Sequence, residues 1–196
     1  MKALIIEAYT DANVGSAALI ENSINIIRRK LNMALVSILA HDRDAVSSFS
    51  GIPASNEVFM LPLNKTRWFQ IRWAISSFVW MAIHALVMIT RLPVPYSFYT
   101  FSKQKKESLK AIKDSDIVFS IGAERLNDNF FQVLPFSLYT LWLIKAYGKR
   151  LILFPQTIGP FYFKISRFFV SRILKRCDFI YTRDKRSLET LKNLGV

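Results

Sequence analysis

Short apolar runs, separated by segments of helix length, constrain this chain more than any other feature. The runs lie at residues 2–8, 33–40, 57–63, 116–121, 151–154 and 179–182. They are rich in Ile, Leu, Val and Phe and do not alternate with polar residues. That pattern marks strands buried on both faces. The intervening segments carry helical periodicity. In residues 15–30, for example, Ala18, Leu19, Ile20, Ile24, Ile26 and Ile27 build one apolar side. Further helices are expected at 68–89, 103–113, 130–147, 161–175 and 187–194, with Gly148 and Gly195 closing two of them. Alternation of this kind demands β-α-β crossovers. The expected fold class is α/β: one Rossmann-like domain over 1–196, with a mostly parallel sheet and helices on both faces.

The stretch Leu151 to Phe161, LILFPQTIGPF, shows where such a domain does its work. The apolar run stops at Pro155, then gives way to Gln156, Thr157 and a Gly159–Pro160 turn. Parallel sheets bind ligands beyond the carboxyl ends of their strands, and this turn sits at such an end. An ordinary strand-to-helix turn accounts for it equally well.

Charge narrows the partners. Among 196 residues there are 27 Lys and Arg against 14 Asp and Glu, for a net charge of +13. That surplus fits an anionic partner: phosphorylated substrate, anionic lipid or nucleic acid. No zinc-finger spacing or RNP-type aromatic motif is present, so nucleic acid is not expected. The basic residues gather at 103–113 and 164–176, where a solvated helix face is the plainer explanation. One cysteine, Cys177, rules out an internal disulfide and fits a reducing, cytoplasmic setting. No metal site and no cofactor are expected.

Residues 73–90 carry no formal charge and are flanked by Arg67, Arg72 and Arg91. Their length is near the lower limit for a membrane span. Ser76, Ser77 and His84 interrupt them. A helix packed on the domain, or lying on a membrane surface at the inner face of the plasma membrane, fits better than a true span.

Three polar segments follow strands. In the first, Asn13 and Gly15 allow a tight turn and Ser16 can cap the following helix, whose amino end suits an anion. The second runs from Ser120 to Asn129, and Glu124 and Asp128 in it read as ligand contacts or as solvated loop acids. The third is the Gln156 turn, with Arg183 at the end of the next strand. Gln156 reads equally as a side chain bonded to turn backbone. Arg183 reads as an anion clamp or as a salt-bridge partner of Asp184.

Taken in order, these segments resemble the polysaccharide pyruvyl transferase family. An early N-x-G-D-x-A-[IL] loop is matched by Asn13 through Leu19. A Gly-Gly-Gly turn followed by Leu and Asp is matched by Ile121-Gly122-Ala123, Leu126 and Asp128. A G-Q-[ST]-I-G-P-[FL] turn is matched by Pro155 through Phe161, and an [IV]-x-x-R-D-x-x-S motif by Ile180 through Ser187. The departures are Ser16 for the usual Asp, Ile121 and Ala123 for two glycines, and Pro155 for glycine.

The resemblance implies transfer of the enolpyruvyl group of phosphoenolpyruvate onto a saccharide, free or lipid-linked, as a cyclic ketal of a cell-surface polysaccharide. It implies donor binding by Arg183, Gln156 and Gly159, and acceptor binding by Asn13, Gly15, Ser16 and Asp128. It also implies a GT-B-like enzyme of two Rossmann-like domains, of which this chain corresponds to the amino-terminal one. The family's catalytic histidine lies in the second domain. His41 and His84 are the only histidines here, and His84 lies in the apolar helix. Two other readings stand beside this one: a GT-B glycosyltransferase-like nucleotide-sugar binder, and a non-catalytic half that binds a partner.

Overall fold

A computed structural model of the chain describes residues 1–9, 14–30, 35–62, 64–122 and 124–196. Its six strands are β1 (Lys2–Ala8), β2 (Leu35–Ala40), β3 (Ala54–Asn56), β4 (Ile117–Ser120), β5 (Arg150–Gln156) and β6 (Phe179–Thr182). Every neighbouring pair is parallel, in the order β3-β2-β1-β4-β5-β6. This is the doubly wound order. The chain moves outward from β1 to β3, then returns to β4 on the other side of β1, so the carboxyl ends of β1 and β4 form the switch point.

The helices are α1 (Val14–Lys30), α2 (Arg43–Ser50), α3 (Arg67–Thr90), α4 (Tyr96–Tyr99), α5 (Lys103–Asp114), α6 (Leu134–Ala146), α7 (Lys164–Leu174) and α8 (Lys185–Asn193). They cover both faces of the sheet. On one side Ile20, Ile24 and Ile27 of α1 and Val46 of α2 pack on Ala3, Ile5, Ile38, Phe119 and Phe154. On the other, Leu109, Leu141, Ile144, Val170 and Leu191 pack on Leu4, Ile6, Val118, Leu151 and Leu153. Each of the Val, Leu, Ile and Phe side chains among them stabilises the fold by about 1.5–3 kcal/mol relative to exposure.

Helix α6 is buried along most of its length because α3 lies outside it. Trp80 belongs to the same core as Leu141, and the Tyr139 hydroxyl donates to the Met81 carbonyl at 3.2 Å. The stripe of α3 that faces the domain is Ser77, Trp80 and His84. Burial holds the His84 imidazole well below its ordinary range, at about 4, with Lys113 adding to the effect. His84 is thus a core residue, bonded to the Tyr147 hydroxyl at 3.1 Å.

Several expected elements move. The third strand is Ala54–Asn56, not 57–63. The polar Ala-Ser-Asn run pairs with β2, and Val58 and Phe59 enter the core without strand geometry. Strand β5 does not halt at Pro155. It continues to Gln156, because the pairing with β6 shifts register between Leu153 and Gln156 and leaves Pro155 exposed. A proline costs no ladder bond at such an irregularity. The helix expected over 130–147 starts at Leu134, after a single 3-10 turn at Asp128–Phe130. The helix expected at 161–175 starts at Lys164.

Candidate functional site

At the end of β1 the backbone of Glu7 takes the left-handed conformation, φ 63°. A non-glycine residue there costs on the order of 1–2 kcal/mol, so its surroundings must hold it. The register of β1 against β2 slips at the same point. Glu7 is only 6% exposed. Its Oε2 accepts a hydrogen bond from the Ser120 hydroxyl at the end of β4, and its Oε1 has no partner among the described residues. The next residue along the β4 loop but one is Gly122, and a Cβ there would meet Glu7 Oε2 at 2.6 Å. Glycine is what lets the carboxylate lie against this loop.

Next to Glu7 lies a buried ion pair. Arg125 Nη1 donates to Glu57 Oε2 at 2.8 Å, with little of either side chain exposed. Burial pushes the Glu57 carboxyl up, more than Arg125 pulls it down, and the charge of Glu7 pushes in the same direction. Burial also opposes the Arg125 charge, but the carboxylates of Glu57 and Glu7 outweigh it, so Arg125 stays cationic. Among the described residues Glu57 Oε1 and the Ser137 hydroxyl lack partners, as Glu7 Oε1 does. All three residues line one hollow with Arg125, Phe59 and Phe136, and its ≈ 20 Å³ holds about one water molecule. A hydroxyl group is the same size and can donate to a carboxylate while accepting from Ser137. His41, beyond the end of β2, stacks on Tyr9 at 5.1 Å beside this cluster. Burial and then Arg125 lower its pKa, which favours neutral imidazole.

The second cluster is built by β5 and β6. The Arg183 amide donates to the Gln156 carbonyl at 3.2 Å, so the two residues sit at adjacent strand ends. The Arg183 side chain is exposed. Asp184 does not form a salt bridge with it among the described residues. Its carboxylate caps α8 instead, accepting from the Ser187 amide at 2.8 Å and from the Ser187 hydroxyl at 3.2 Å. Those bonds, with a smaller pull from Arg183, hold the Asp184 carboxyl below its usual range.

Gln156 is fully buried, and neither its Oε1 nor its Nε2 has a hydrogen-bond partner among the described residues. The expectation that its amide bonds to turn backbone is therefore not met. Gly159 has φ 83°, and a Cβ on it would meet Thr190 Cγ2 of α8 at 3.0 Å. Its amide donates to the Leu126 carbonyl at 2.7 Å, which joins this turn to the β4 loop.

Asp128 ties the same two loops together. It is 5% exposed, so it is not a solvated loop acid. Its Oδ2 accepts from the amides of Tyr162 at 2.6 Å and Phe163 at 3.0 Å, immediately before α7. The amino end of α7 is thereby occupied by a carboxylate of the chain itself. Gly15 and the half-buried Ser16 lie in the first turn of α1, at the end of β1. Asn13 lies outside the described residues. Strand spacing sets the ends of β1 and β6 about 14 Å apart, three strands along the sheet.

Expected and observed site residues therefore fall in one row of strand ends, with Arg183, Gln156 and Gly159 at one end and Gly15 and Ser16 nearer the middle. The cluster of Glu7, Glu57, Ser120, Arg125 and Ser137 was not anticipated. Its one signal in the sequence is a lone acid closing an otherwise apolar strand. No group of His, Cys, Asp and Glu able to hold a metal occurs among the described residues.

Compared with known proteins, the chain matches the family model described as polysaccharide pyruvyl transferase, over residues 13–196. No curated protein and no solved structure matches it.

Proposed function

The chain belongs to the polysaccharide pyruvyl transferase family, and from that premise we propose that it forms the donor- and acceptor-facing wall of a ketal-forming pyruvyl transferase. The observation that carries this reading is the family match over residues 13–196, which takes in the loops after β2 to β6.

The donor would be phosphoenolpyruvate and the acceptor a saccharide of a cell-surface polysaccharide. In the reaction a proton adds to the methylene carbon of the donor, and the neighbouring carbon becomes oxocarbenium-like. A sugar hydroxyl attacks that carbon and gives up its proton. The carbon–oxygen bond to phosphate breaks, inorganic phosphate leaves, and a second hydroxyl attacks the same carbon and gives its proton to the departing phosphate as the ring closes. The exposed guanidinium of Arg183 meets the demand for a clamp on the donor's phosphate or carboxylate. Gln156 and Gly159 shape the floor beneath it.

On the acceptor side, Gly15 and Ser16 form the rim. The hollow between Glu7, Glu57 and Ser137 takes one sugar hydroxyl, with Glu7 Oε1 as the acceptor of its proton. Asp128 holds the wall together from within and does not touch the sugar. The reaction is expected in a reducing compartment.

Ligand-observed NMR with phosphoenolpyruvate tests the donor half of this reading. Binding by the wild type, weakened at least about tenfold in Arg183→Ala with unchanged circular dichroism, is the expected result. Equal binding by both proteins removes the clamp. Binding of uridine diphosphate that phosphoenolpyruvate does not displace would favour a nucleotide-sugar binder instead.

A further inference from the structure

Helix α3 buries Ser77 and His84 against the domain and leaves a long apolar stripe outward. Its buried stripe is Ser77, Trp80 and His84. Its outward stripe, at spacings of three and four, is Trp68, Ile71, Ile75, Val79, Ile83, Leu86 and Ile89, and these are 44–71% exposed. A helix folding against water alone would be turned the other way. The 24-residue helix has an 18-residue window of mean hydropathy 1.7, only 17% of it buried, and is about 36 Å long at the α-helical rise. The stripe continues past the helix end into Leu92, Val94, Phe98 and Phe101, all exposed.

Two observations decide what covers this face. The first is charge. Between Glu57 and Glu107 there is no acidic residue, while Lys65, Arg67, Arg72, Arg91, Lys103, Lys105 and Lys106 all fall there. Four of the seven flank or punctuate the apolar stripe, and long basic side chains can keep their charge at a polar headgroup while the stem stays apolar. The second is anchorage. Trp80 Nε1 donates to Thr100 Oγ1 at 3.0 Å, His84 pairs with the Tyr147 hydroxyl, and Tyr139 donates to the Met81 carbonyl. A helix crossing a bilayer would surrender these bonds. A helix lying flat keeps them.

We propose that α3 is an interfacial membrane helix, its outward stripe seated among the acyl chains of an anionic lipid leaflet and its inner stripe fixed to the domain. The face is close to the switch point. Trp73 and Phe78 of α3 pack on Phe136, with ring centroids 5.0 and 5.4 Å apart, and Phe136 lines the hollow beside Glu7. The lipid surface therefore lies one side chain away from the acceptor hollow. The inference does not depend on pyruvyl transfer and stands if that chemistry fails.

Co-sedimentation tests it, using vesicles of phosphatidylcholine alone and vesicles with a third of it replaced by phosphatidylglycerol. The wild-type chain should pellet with the mixed vesicles and lose most of that binding in high salt. Trp68 emission should shift to the blue on binding, and Trp68→Phe should abolish the shift while the protein still pellets. Ile75→Asp with Ile83→Asp, both at exposed positions, should lower binding about tenfold or more without changing the thermal midpoint. Phe49→Asp, an exposed apolar residue on α2, should leave binding as it was. A wild type that stays in the supernatant with both vesicles overturns the proposal. So does a double variant that binds like wild type, or a wild-type dimer that the double variant dissociates, since a second copy would then cover the stripe.

Discussion

The Glu7 carboxylate rests where a side chain on Gly122 would have to be. A Cβ at position 122 would stand 2.6 Å from Glu7 Oε2, 3.0 Å from its Cδ and 3.2 Å from its Cβ. Residues 115 positions apart in the chain thus meet at the point where the sheet reverses its winding. The left-handed backbone at Glu7 aims the carboxylate at this spot, and the Ser120 hydroxyl fixes it there.

Gly122→Ala should therefore destabilise the fold by roughly 1–3 kcal/mol, as overpacking at a closed site does. Because the obstacle is Glu7, the cost should shrink in a Glu7→Ala background. Urea unfolding of the two single variants and the double variant measures the coupling. A coupling energy of about 0.5 kcal/mol or more is expected for residues in contact, and strict additivity would show that Glu7 is not what Gly122 accommodates.

Arg125→Met should cost roughly 3–5 kcal/mol near neutral pH, because Glu57 is left charged and buried without its partner. The sign of the pH dependence follows from Glu57, since Arg125 stays cationic. The folded pKa of Glu57 lies above its ordinary 4.5. The folded state then holds the proton more tightly than the unfolded one, and the associated stability is complete below that ordinary value and lost as pH rises through the raised one. Without Arg125 the raised value climbs further. The stability deficit of the variant against wild type should be smaller near pH 5 than near pH 7, read from urea midpoints at each. A deficit independent of pH would mean that Glu57 is neutral throughout.

His84 works in the opposite direction. Its folded pKa of about 4 lies below its ordinary 6.5. The unfolded chain therefore takes up the proton first, and stability is lost as pH falls from 6.5 toward 4. For a fully buried imidazole this loss should approach roughly 2–3 kcal/mol. His84→Gln keeps a partner for the Tyr147 hydroxyl but does not titrate. Its unfolding midpoint should stay flat over that range after the common carboxylate effects are subtracted. A variant that follows the wild-type curve would place the acid sensitivity elsewhere.

Much of this architecture was legible because buried parallel strands read as continuous apolar runs, as β1, β4 and β5 do, and because the edge strand β6 keeps an apolar run although Phe179 and Tyr181 are exposed. β3 was misplaced because pairing by three residues at a sheet edge needs no apolar signature, whereas Val58 and Phe59 carry one without being strand. The end of β5 was misread because Pro155 forbids a ladder bond only where a ladder bond is required, and the slip against β6 removes that requirement. The short helix α2 was not foreseen either. Its signals are local, an Asp42 cap bonded to the Ala45 amide and a left-handed Gly51 at the other end. At the site, the nearness of Gln156 and Arg183 followed from adjacent strands. The Glu7, Glu57 and Arg125 cluster could not be read in advance, because it joins the ends of β1 and β3 to the loop after β4. No linear spacing records that meeting.

Asp128 separates a structural wall from a binding one. Its Oδ2 holds the amides of Tyr162 and Phe163, and its own amide donates to the Pro160 carbonyl at 3.0 Å. Two charge-assisted bonds at a helix amino end, made by a buried carboxylate, should be worth roughly 2–3 kcal/mol together. Asp128→Ala should lose that amount in urea unfolding. Asp128→Asn, which keeps one oxygen for the amides, should lose about half of it. A residue that only touched saccharide would behave differently, leaving the unfolding midpoint unmoved in both variants. Equal midpoints for wild type, Asp128→Ala and Asp128→Asn would return Asp128 to the acceptor side of the cleft.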